Sequence, residues 1–225
     1  MPTSDSTVEC AVSPRVHNVL SYSVTLLTFW SVLLFRLQYR ALTTTVAIAA
    51  SLWSVHFFRR TLESALVHRY SKPRVAAADY LSEYAYYWGF AAWIAWSLTA
   101  AARSVPGPGQ QAVGLALFVV AEAGNARAHL MLRSLRPGTG RERPIPRGFL
   151  FERVSCPHYL FEILSWLGFN LVSGTLAGVL FMLLGAGILA AWARTRHAAY
   201  QRAFDGREGR ELYPTSRRAL IPFLF

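Results

Sequence analysis

The chain has 225 residues, of which 53% are hydrophobic and 14% aromatic, with a mean hydropathy of +0.28. One soluble core of this size would use less apolar surface, so the composition favours a membrane protein. Six crossings of about 20 residues each would occupy roughly 120 positions and leave no room for a separate soluble domain. The aromatic content excludes a disordered chain. Neither cysteine, Cys10 or Cys156, is placed like a disulfide staple or a zinc ligand, and no metal site is predicted.

The charge is strongly basic, with 23 Lys and Arg against 12 Asp and Glu, a formal net charge of +11. All but one of the basic residues are arginine, and most lie between apolar runs. This pattern is typical of anchoring to anionic lipid headgroups or of binding a phosphorylated ligand. We therefore predict contact with the lipid bilayer and no nucleic-acid partner.

Six apolar runs follow a polar tail at residues 1–18, which shows no basic region and no cleavage pattern of a signal peptide. The fifth and sixth runs are joined by a tight Ser173-Gly174 turn. The pattern predicts an all-α, polytopic membrane helix bundle over residues 19–225, with about six transmembrane helices and a basic C-terminal tail. The runs cover 19–35, 42–58, 84–102, 112–132, 159–172 and 176–192.

Basic residues alternate between the loops. They are dense in 59–74, in 133–153 and after 194, but sparse in 103–111 and absent from 170–178. Cytosolic loops carry the excess of Lys and Arg. The alternation therefore predicts that both termini lie in the cytosol.

Polar side chains recur at spacings of three and four within the fourth run, at Glu122, Asn125, His129, Arg133 and Arg136. This spacing puts them on one face of a helix. Each polar group is costly in hydrocarbon unless it meets a cavity or a partner. The face is either a buried ion-pair stripe or a pocket open to the cytosol, with the two arginines clamping phosphate at its mouth.

A second polar face extends from the second run, where His56, Arg60 and Glu63 share a helix side by the same spacing. A neighbouring Arg59 is typical of a membrane-interface anchor. Glu63 is a candidate functional carboxylate, with a salt bridge to Arg60 as the alternative.

The fifth run opens with Pro157, which suits a helix start, followed by His158 and Tyr159. Glu162 and Trp166 continue the face of Tyr159. A tyrosine at this depth is either an interfacial belt residue or, beside a histidine and a carboxylate, a proton donor.

A last cluster, Arg196, His197 and Tyr200, lies just past the sixth run and by itself resembles a basic anchor. The sequence lacks the glycine-rich motifs that bind dinucleotides and the motifs of zinc proteases and serine hydrolases. A dinucleotide would therefore be held by helices, with arginine side chains contacting its phosphates.

Several blocks resemble the very-long-chain trans-2-enoyl-CoA reductases of the steroid 5-alpha-reductase superfamily. The Tyr-Tyr-Trp-Gly-Phe and Ser-Cys-Pro-x-Tyr blocks favour this branch, as does Phe57, where steroid reductases carry a tyrosine that helps to hold the substrate carbonyl. The resemblance covers residues 50–225 and does not include the family's N-terminal ubiquitin-like region. The blocks occur in the same order at 56–70, 86–93, 124–129, 132–137, 154–159 and 221–225.

The resemblance implies an endoplasmic-reticulum enzyme that uses NADPH to reduce the 2,3 double bond of a long-chain acyl-CoA. This is the last step of the fatty acid elongation cycle, and the other elongation enzymes are the implied partners. Tyr159 matches the family's essential tyrosine. The steroid branch has an acidic residue at His129, and an asparagine is usual at His158. The matching cofactor segments contain Asn125, His129, Arg133, Arg136, His158, Glu162, Trp166, Arg196, His197 and Tyr200.

The chemistry suits a phenol. Hydride addition to an enoyl thioester builds negative charge on the thioester oxygen, and the alpha carbon then takes a proton. We predict that Tyr159 either stabilises the enolate or supplies the proton, and that His158 or Glu63 tunes it. The alternatives are a steroid or polyprenol reductase, a membrane methyltransferase that uses S-adenosylmethionine, and a transporter or structural protein.

Overall fold

The computed structural model describes residues 11–70, 75–76, 80–101, 104–135 and 144–225. Within these ranges the chain forms six α-helices and a minimal antiparallel pair of strands, β1 (Ala11–Val12) and β2 (Val75–Ala76). The predicted all-α membrane bundle of six helices is confirmed. The helices are α1 (Pro14–Leu37), α2 (Thr44–Leu62), α3 (Leu81–Leu98), α4 (Pro108–Ser134), α5 (Pro157–Ser173) and α6 (Leu176–Ala203).

The helix ends follow local chemistry. Proline occupies the first turn of α1, α4 and α5, where its missing N–H costs nothing. Thr43 and Thr175 cap α2 and α6 by accepting a backbone N–H with their side chains. The predicted turn after α5 is present, with Gly174 in the left-handed region at φ +59°. A side chain there would also strike Pro106, 2.7 Å from the Cβ position.

Among the described helices, α1, α4 and α6 are long and apolar enough to cross a membrane. The chain is therefore a membrane protein. Helix α5 has only 17 residues, and α2 carries Arg59 and Arg60 in its last turn. Six helices are established, whereas six crossings remain a prediction.

An aromatic core fills the centre of the bundle. Trp53 of α2 is fully buried and packs its ring against Phe57, Trp166, Phe169 and Phe181. These rings come from α2, α5 and α6. The core therefore fixes α2 against α5, which is the packing that brings their polar residues together.

The segment that follows α6 folds back onto the residues that precede α5. Ser155 N donates to Arg218 O at 2.8 Å, and Arg218 N donates to Arg153 O at 3.0 Å. Cys156 N donates to Ala219 O at 3.1 Å. These bonds hold the entrance of α5 in a backbone ladder. The C-terminal segment therefore fixes the position of the start of α5.

Candidate active site

A buried histidine on α2 joins three helices. His56 Nδ1 lies 2.7 Å from Glu122 Oε1 of α4, and its Nε2 lies 3.1 Å from Glu162 Oε1 of α5. An imidazole can donate to two carboxylates only if both nitrogens carry hydrogen. The geometry therefore suits a positively charged His56. Arg59 Nε also donates to Glu122, at 2.6 Å.

Glu63 follows α2 in a π-helical turn, Glu63–Val67, and is buried. It accepts from Arg59 at 2.5 Å and from Arg60 at 2.8 Å, so the salt bridge raised as the alternative role for Glu63 is present. His129 Nδ1 of α4 lies 2.8 Å from Glu63 Oε2, the oxygen that also accepts from Arg60. The role of Glu63 in tuning Tyr159 stays a prediction.

The charges of this buried cluster balance. Glu63, Glu122 and Glu162 supply three carboxylates, and Arg59 and Arg60 supply two guanidinium groups. A proton on His56 provides the third positive charge. Buried charges that are paired and hydrogen-bonded avoid the large cost of isolated ions.

Glu63, His68 and His129 are also close enough to be examined as a metal site, since their ligand atoms lie within 4.8 Å of one another. The guanidinium of Arg60 occupies the position next to Glu63 and His129 that a metal ion would take. Its Nη1 lies 2.8 Å from Glu63 and 3.3 Å from His129 Nδ1. Positive charge at this carboxylate is therefore already supplied by the protein.

Tyr159 lies in the first turn of α5, and Arg196 reaches it from α6. Arg196 Nε donates to the phenol oxygen at 2.8 Å. The ring of His158 is 4.2 Å from that of Tyr159, and Trp192 flanks it at 6.3 Å. The predicted catalytic tyrosine and a predicted cofactor-binding arginine are thus direct partners. A guanidinium at this distance stabilises negative charge on the phenol oxygen.

Two buried polar atoms close to Tyr159 have no hydrogen-bond partner within the described part of the chain. They are Asn125 Oδ1 and His158 Nδ1. Asn125 is held by its other amide atom, since Nδ2 donates to His158 O at 2.7 Å and to Glu162 Oε2 at 3.2 Å. Buried polar atoms without partners are costly. Asn125 Oδ1 on α4 and His158 Nδ1 on α5 can therefore form hydrogen bonds with a polar ligand.

The other predicted residues fall into three places. Trp166 belongs to the aromatic core and packs 4.4 Å from the ring of His56. Arg133 is exposed at the end of α4, and Arg136 lies outside the described residues. His129 is buried, with its ring 5.6 Å from that of His158. Four of the five residues of the predicted stripe can therefore be placed.

His197 and Tyr200 lie on α6 beside residues that sequence reasoning missed. Ser155 Oγ lies 2.6 Å from His197 Nδ1 and 2.7 Å from the hydroxyl of Tyr213. Tyr200 stacks on Tyr213, with ring centroids 5.4 Å apart. Ser155 stands in the Ser-Cys-Pro-x-Tyr block, which could have indicated it. No spacing in the sequence points to Tyr213.

Cys156 sits at the N-cap of α5 and is fully buried. Burial raises the pKa of its thiol to about 12. The group is therefore a neutral thiol at physiological pH and does not act as a nucleophile.

Comparisons with known proteins identify the family of the chain. A family model described as 3-oxo-5-alpha-steroid 4-dehydrogenase matches residues 103–225, more than half of the chain. This region includes α4, α5, α6 and the C-terminal ladder. The chain therefore belongs to the steroid 5-alpha-reductase superfamily.

Within that superfamily the chain is similar to enoyl-CoA reductases. It is 37% identical over 177 residues to a very-long-chain enoyl-CoA reductase of Dictyostelium discoideum, an alignment that covers 79% of this chain and 57% of that protein. It is 35% identical over 187 residues to a probable very-long-chain enoyl-CoA reductase of Caenorhabditis elegans, with 80% and 59% covered. The resemblance seen in the sequence is confirmed. The chain spans less than two thirds of these relatives.

A steroid enzyme is also among the relatives. The chain is 39% identical over 111 residues to 3-oxo-5-alpha-steroid 4-dehydrogenase 1 of Rattus norvegicus, covering 49% of this chain and 40% of that protein. The match to this branch is therefore shorter than the matches to the enoyl-CoA reductases.

Proposed function

We propose that the protein is an oxidoreductase that uses NADPH to reduce the 2,3 double bond of a very-long-chain trans-2-enoyl-CoA. This reaction would be the last step of the fatty acid elongation cycle. The observation that carries the proposal is the contact of 2.8 Å between Arg196 and the phenol of Tyr159. Nearby lie Asn125 Oδ1 and His158 Nδ1, which have no hydrogen-bond partner among the described residues. The names of the relatives supply the substrate class.

The residues present fit a reduced nicotinamide cofactor. Asn125 Oδ1 can accept from a carboxamide N–H, and the neutral His158 ring, in the tautomer with its hydrogen on Nδ1, can donate to a carboxamide oxygen. Arg133 at the C-terminal end of α4 and the arginines of α6 suit phosphates. When bound, NADPH supplies the hydride for the beta carbon. We propose that Asn125, His129, Arg133, Arg136, Glu162, Trp166, Arg196, His197 and Tyr200 hold it.

Tyr159 would serve the other half of the reaction. Its hydroxyl gives a proton to the alpha carbon, or donates a hydrogen bond to the thioester oxygen as charge builds there. The Arg196 guanidinium, 2.8 Å from the same oxygen, then stabilises the phenolate until water returns the proton. His158 packs on the phenol ring and limits its movement.

The membrane setting completes the proposal. The acyl chain would lie between helices in the bilayer, while the CoA nucleotide stays among the arginines. We place the protein in the endoplasmic reticulum membrane, with both termini cytosolic, near the other enzymes of the elongation cycle. No nucleic acid has a role.

The first prediction concerns Tyr159. Changing Tyr159→Phe removes the proton but keeps the ring, and should lower kcat for a long-chain trans-2-enoyl-CoA by about 100-fold or more. NADPH oxidation at 340 nm measures this in purified protein. Tyr39→Phe is the matched control, since Tyr39 is 69% exposed beyond α1. Turnover near wild type in Tyr159→Phe would refute the assignment.

A steroid or polyprenol substrate is the second candidate, favoured by the family match and by the rat relative. Phe57 argues against it, because its ring is fully buried in the aromatic core and offers no hydroxyl to a substrate carbonyl. Assaying one preparation with a long enoyl-CoA, a 3-oxo steroid and a polyprenal separates the two. Preference for the steroid would overturn the enoyl-CoA assignment.

A further inference from the structure

A short chain of hydrogen bonds joins three separate parts of the protein next to the proposed catalytic residue. The hydroxyl of Ser155 lies between the hydroxyl of Tyr213 and His197 Nδ1, at 2.7 and 2.6 Å. Ser155 precedes α5, His197 lies on α6, and Tyr213 belongs to the C-terminal segment. We call these three residues the Ser155 bridge.

Two of the three residues of the bridge are buried. Ser155 and Tyr213 are each 2% exposed. A serine hydroxyl donates one hydrogen and can accept another. Gln201 Nε2 lies 3.0 Å from His197 Nε2 and donates to it, which limits rotation of the imidazole. A neutral His197 therefore carries its hydrogen on Nδ1 and donates to Ser155 Oγ, and the Ser155 hydroxyl donates to Tyr213.

The bridge also lies beside the contact that the proposed chemistry needs. Ser155 is four residues before Tyr159, and His197 directly follows Arg196. The backbone at Ser155 is already held by Arg218 O. Fixing Ser155 to His197 therefore fixes the start of α5 against the turn of α6 that presents Arg196. Arg196 itself is long and exposed, and its position depends on this framework.

We propose that Ser155 and Tyr213 are positioning residues that act through the Tyr159–Arg196 pair, an inference that rests on the proposed reductase function. Neither residue touches the phenol oxygen in the described contacts. Their effect is to hold the guanidinium 2.8 Å from it. Small displacements of reacting groups can cost about 100-fold in rate.

The test uses Tyr213→Phe and Ser155→Ala, each alone and combined with Arg196→Met. Tyr213→Phe keeps the ring that stacks on Tyr200 and loses only the hydroxyl. Each single variant should lower kcat by about 10- to 100-fold, with KM for the enoyl-CoA changed by less than about twofold. In the Arg196→Met background the same changes should have little further effect, because the pair they position is already broken.

A purely structural role predicts something else. It would lower kcat by the same factor with or without Arg196, and that result would overturn the proposal. So would an unchanged kcat. Ser51→Ala and Tyr39→Phe are the controls, because both remove a hydroxyl at an exposed position.

Two further readouts separate the possible failures. NADPH binding, followed by nicotinamide fluorescence, and the thermal midpoint in detergent should both stay close to wild type in Tyr213→Phe. A lowered thermal midpoint would show that Tyr213→Phe is misfolded, and lost NADPH binding at a normal midpoint would show that the bridge acts on the proposed cofactor residues His197 and Tyr200. Either result would overturn a positioning role at the Tyr159–Arg196 pair, and Ser155→Ala repeats the test. If the wild-type protein reduces no enoyl-CoA, the proposed function fails. If the wild-type protein reduces an enoyl-CoA and the variants have the same kcat, only the Ser155 bridge proposal fails.

Discussion

His56 decides how the buried charges of the site are arranged. Its two ring nitrogens lie 2.7 Å from a Glu122 oxygen and 3.1 Å from a Glu162 oxygen. Removing one partner of a buried pair leaves an uncompensated charge, which is far more costly than never having buried the pair. The carboxylates of α4 and α5 on either side of His56 therefore stabilise its protonated form.

Cys156 allows a prediction about pH at a single residue. An ordinary thiol becomes reactive as pH rises past about 8.5, whereas the pKa of Cys156 is raised to about 12 by burial. In a Cys10→Ser background, maleimide labelling of the folded protein should therefore stay slow from pH 7 to 9. The unfolded protein should label with the usual increase across that range.

The sign of the effect on stability follows from the same shift. Between the ordinary pKa and about 12, the folded thiol keeps a proton that the unfolded thiol has lost. The contribution of Cys156 to stability is therefore complete at neutral pH and is lost as pH rises through this window. Fast labelling of the native protein at pH 7 would contradict the burial of this group.

The spacing of polar residues predicted which side chains share a helix face, but not which residues of other helices they contact. The spacing of Glu122, Asn125 and His129 placed them on one side of a helix, and all three are buried. That Glu122 meets His56, a residue 66 positions away, depends on how α2 packs against α4. Tyr213 was missed for the same reason, because only the folded C-terminal segment brings it to Ser155.

Helices α4 and α5 approach each other closely, and their contact requires glycine. A Cβ on Gly168 would lie 2.7 Å from both Gly114 O and Phe118 N. Both are backbone atoms of α4, so the helices themselves would have to separate. Close approach of this kind is typical of small residues in membrane helices.

We therefore predict that Gly168→Ala destabilises the protein by about 1–3 kcal/mol and also lowers activity, since α4 and α5 carry Asn125 and Tyr159. Thermal unfolding in detergent measures the loss. Gly89→Ala is the matched control, because nothing lies within 4 Å of a Cβ at Gly89. It should be neutral or slightly stabilising through helix propensity. Equal midpoints for the two variants would contradict the close contact.

The sequence predicted the number and order of the helices more accurately than the residues at which they end. The apolar runs located all six helices, but α6 continues to Ala203, well past the predicted end at residue 192. Hydropathy marks where a helix can leave lipid, whereas its hydrogen bonds continue into the arginine-rich sequence that follows. The π-helical turn at Glu63–Val67 has no signal of its own in the sequence.

At the scale of the whole molecule, Arg217 attaches the C-terminal segment to the loop before α5. Its side chain is almost fully buried, at 2% exposed. Its Nη1 donates to Pro146 O at 2.7 Å, and its Nη2 donates to Glu152 at 3.2 Å. A buried charge with these bonds is difficult to replace, because its partners would lose their donors.

Arg217→Met should therefore destabilise the protein by about 3 kcal/mol, the order expected for losing hydrogen bonds to a buried charged group. The C-terminal segment should also become the first region cut by a protease. Thermal unfolding and limited proteolysis in detergent check the two effects. Arg202→Met removes an exposed arginine of α6 and should change neither. Resistance of Arg217→Met to both assays would show that the segment is held by its backbone ladder alone.

The distribution of the polar cluster over the chain also constrains biogenesis. Glu63 is synthesised directly after α2 and can pair with Arg59 and Arg60 at once. The two carboxylates that contact His56 come much later, Glu122 more than 60 positions along the chain and Glu162 later still. A nascent α2 therefore carries His56 into an apolar environment before either of its carboxylate partners exists. Assembly of this polar centre is complete only after translation of α5, so the first four helices must remain able to rearrange while the rest of the protein is still being made.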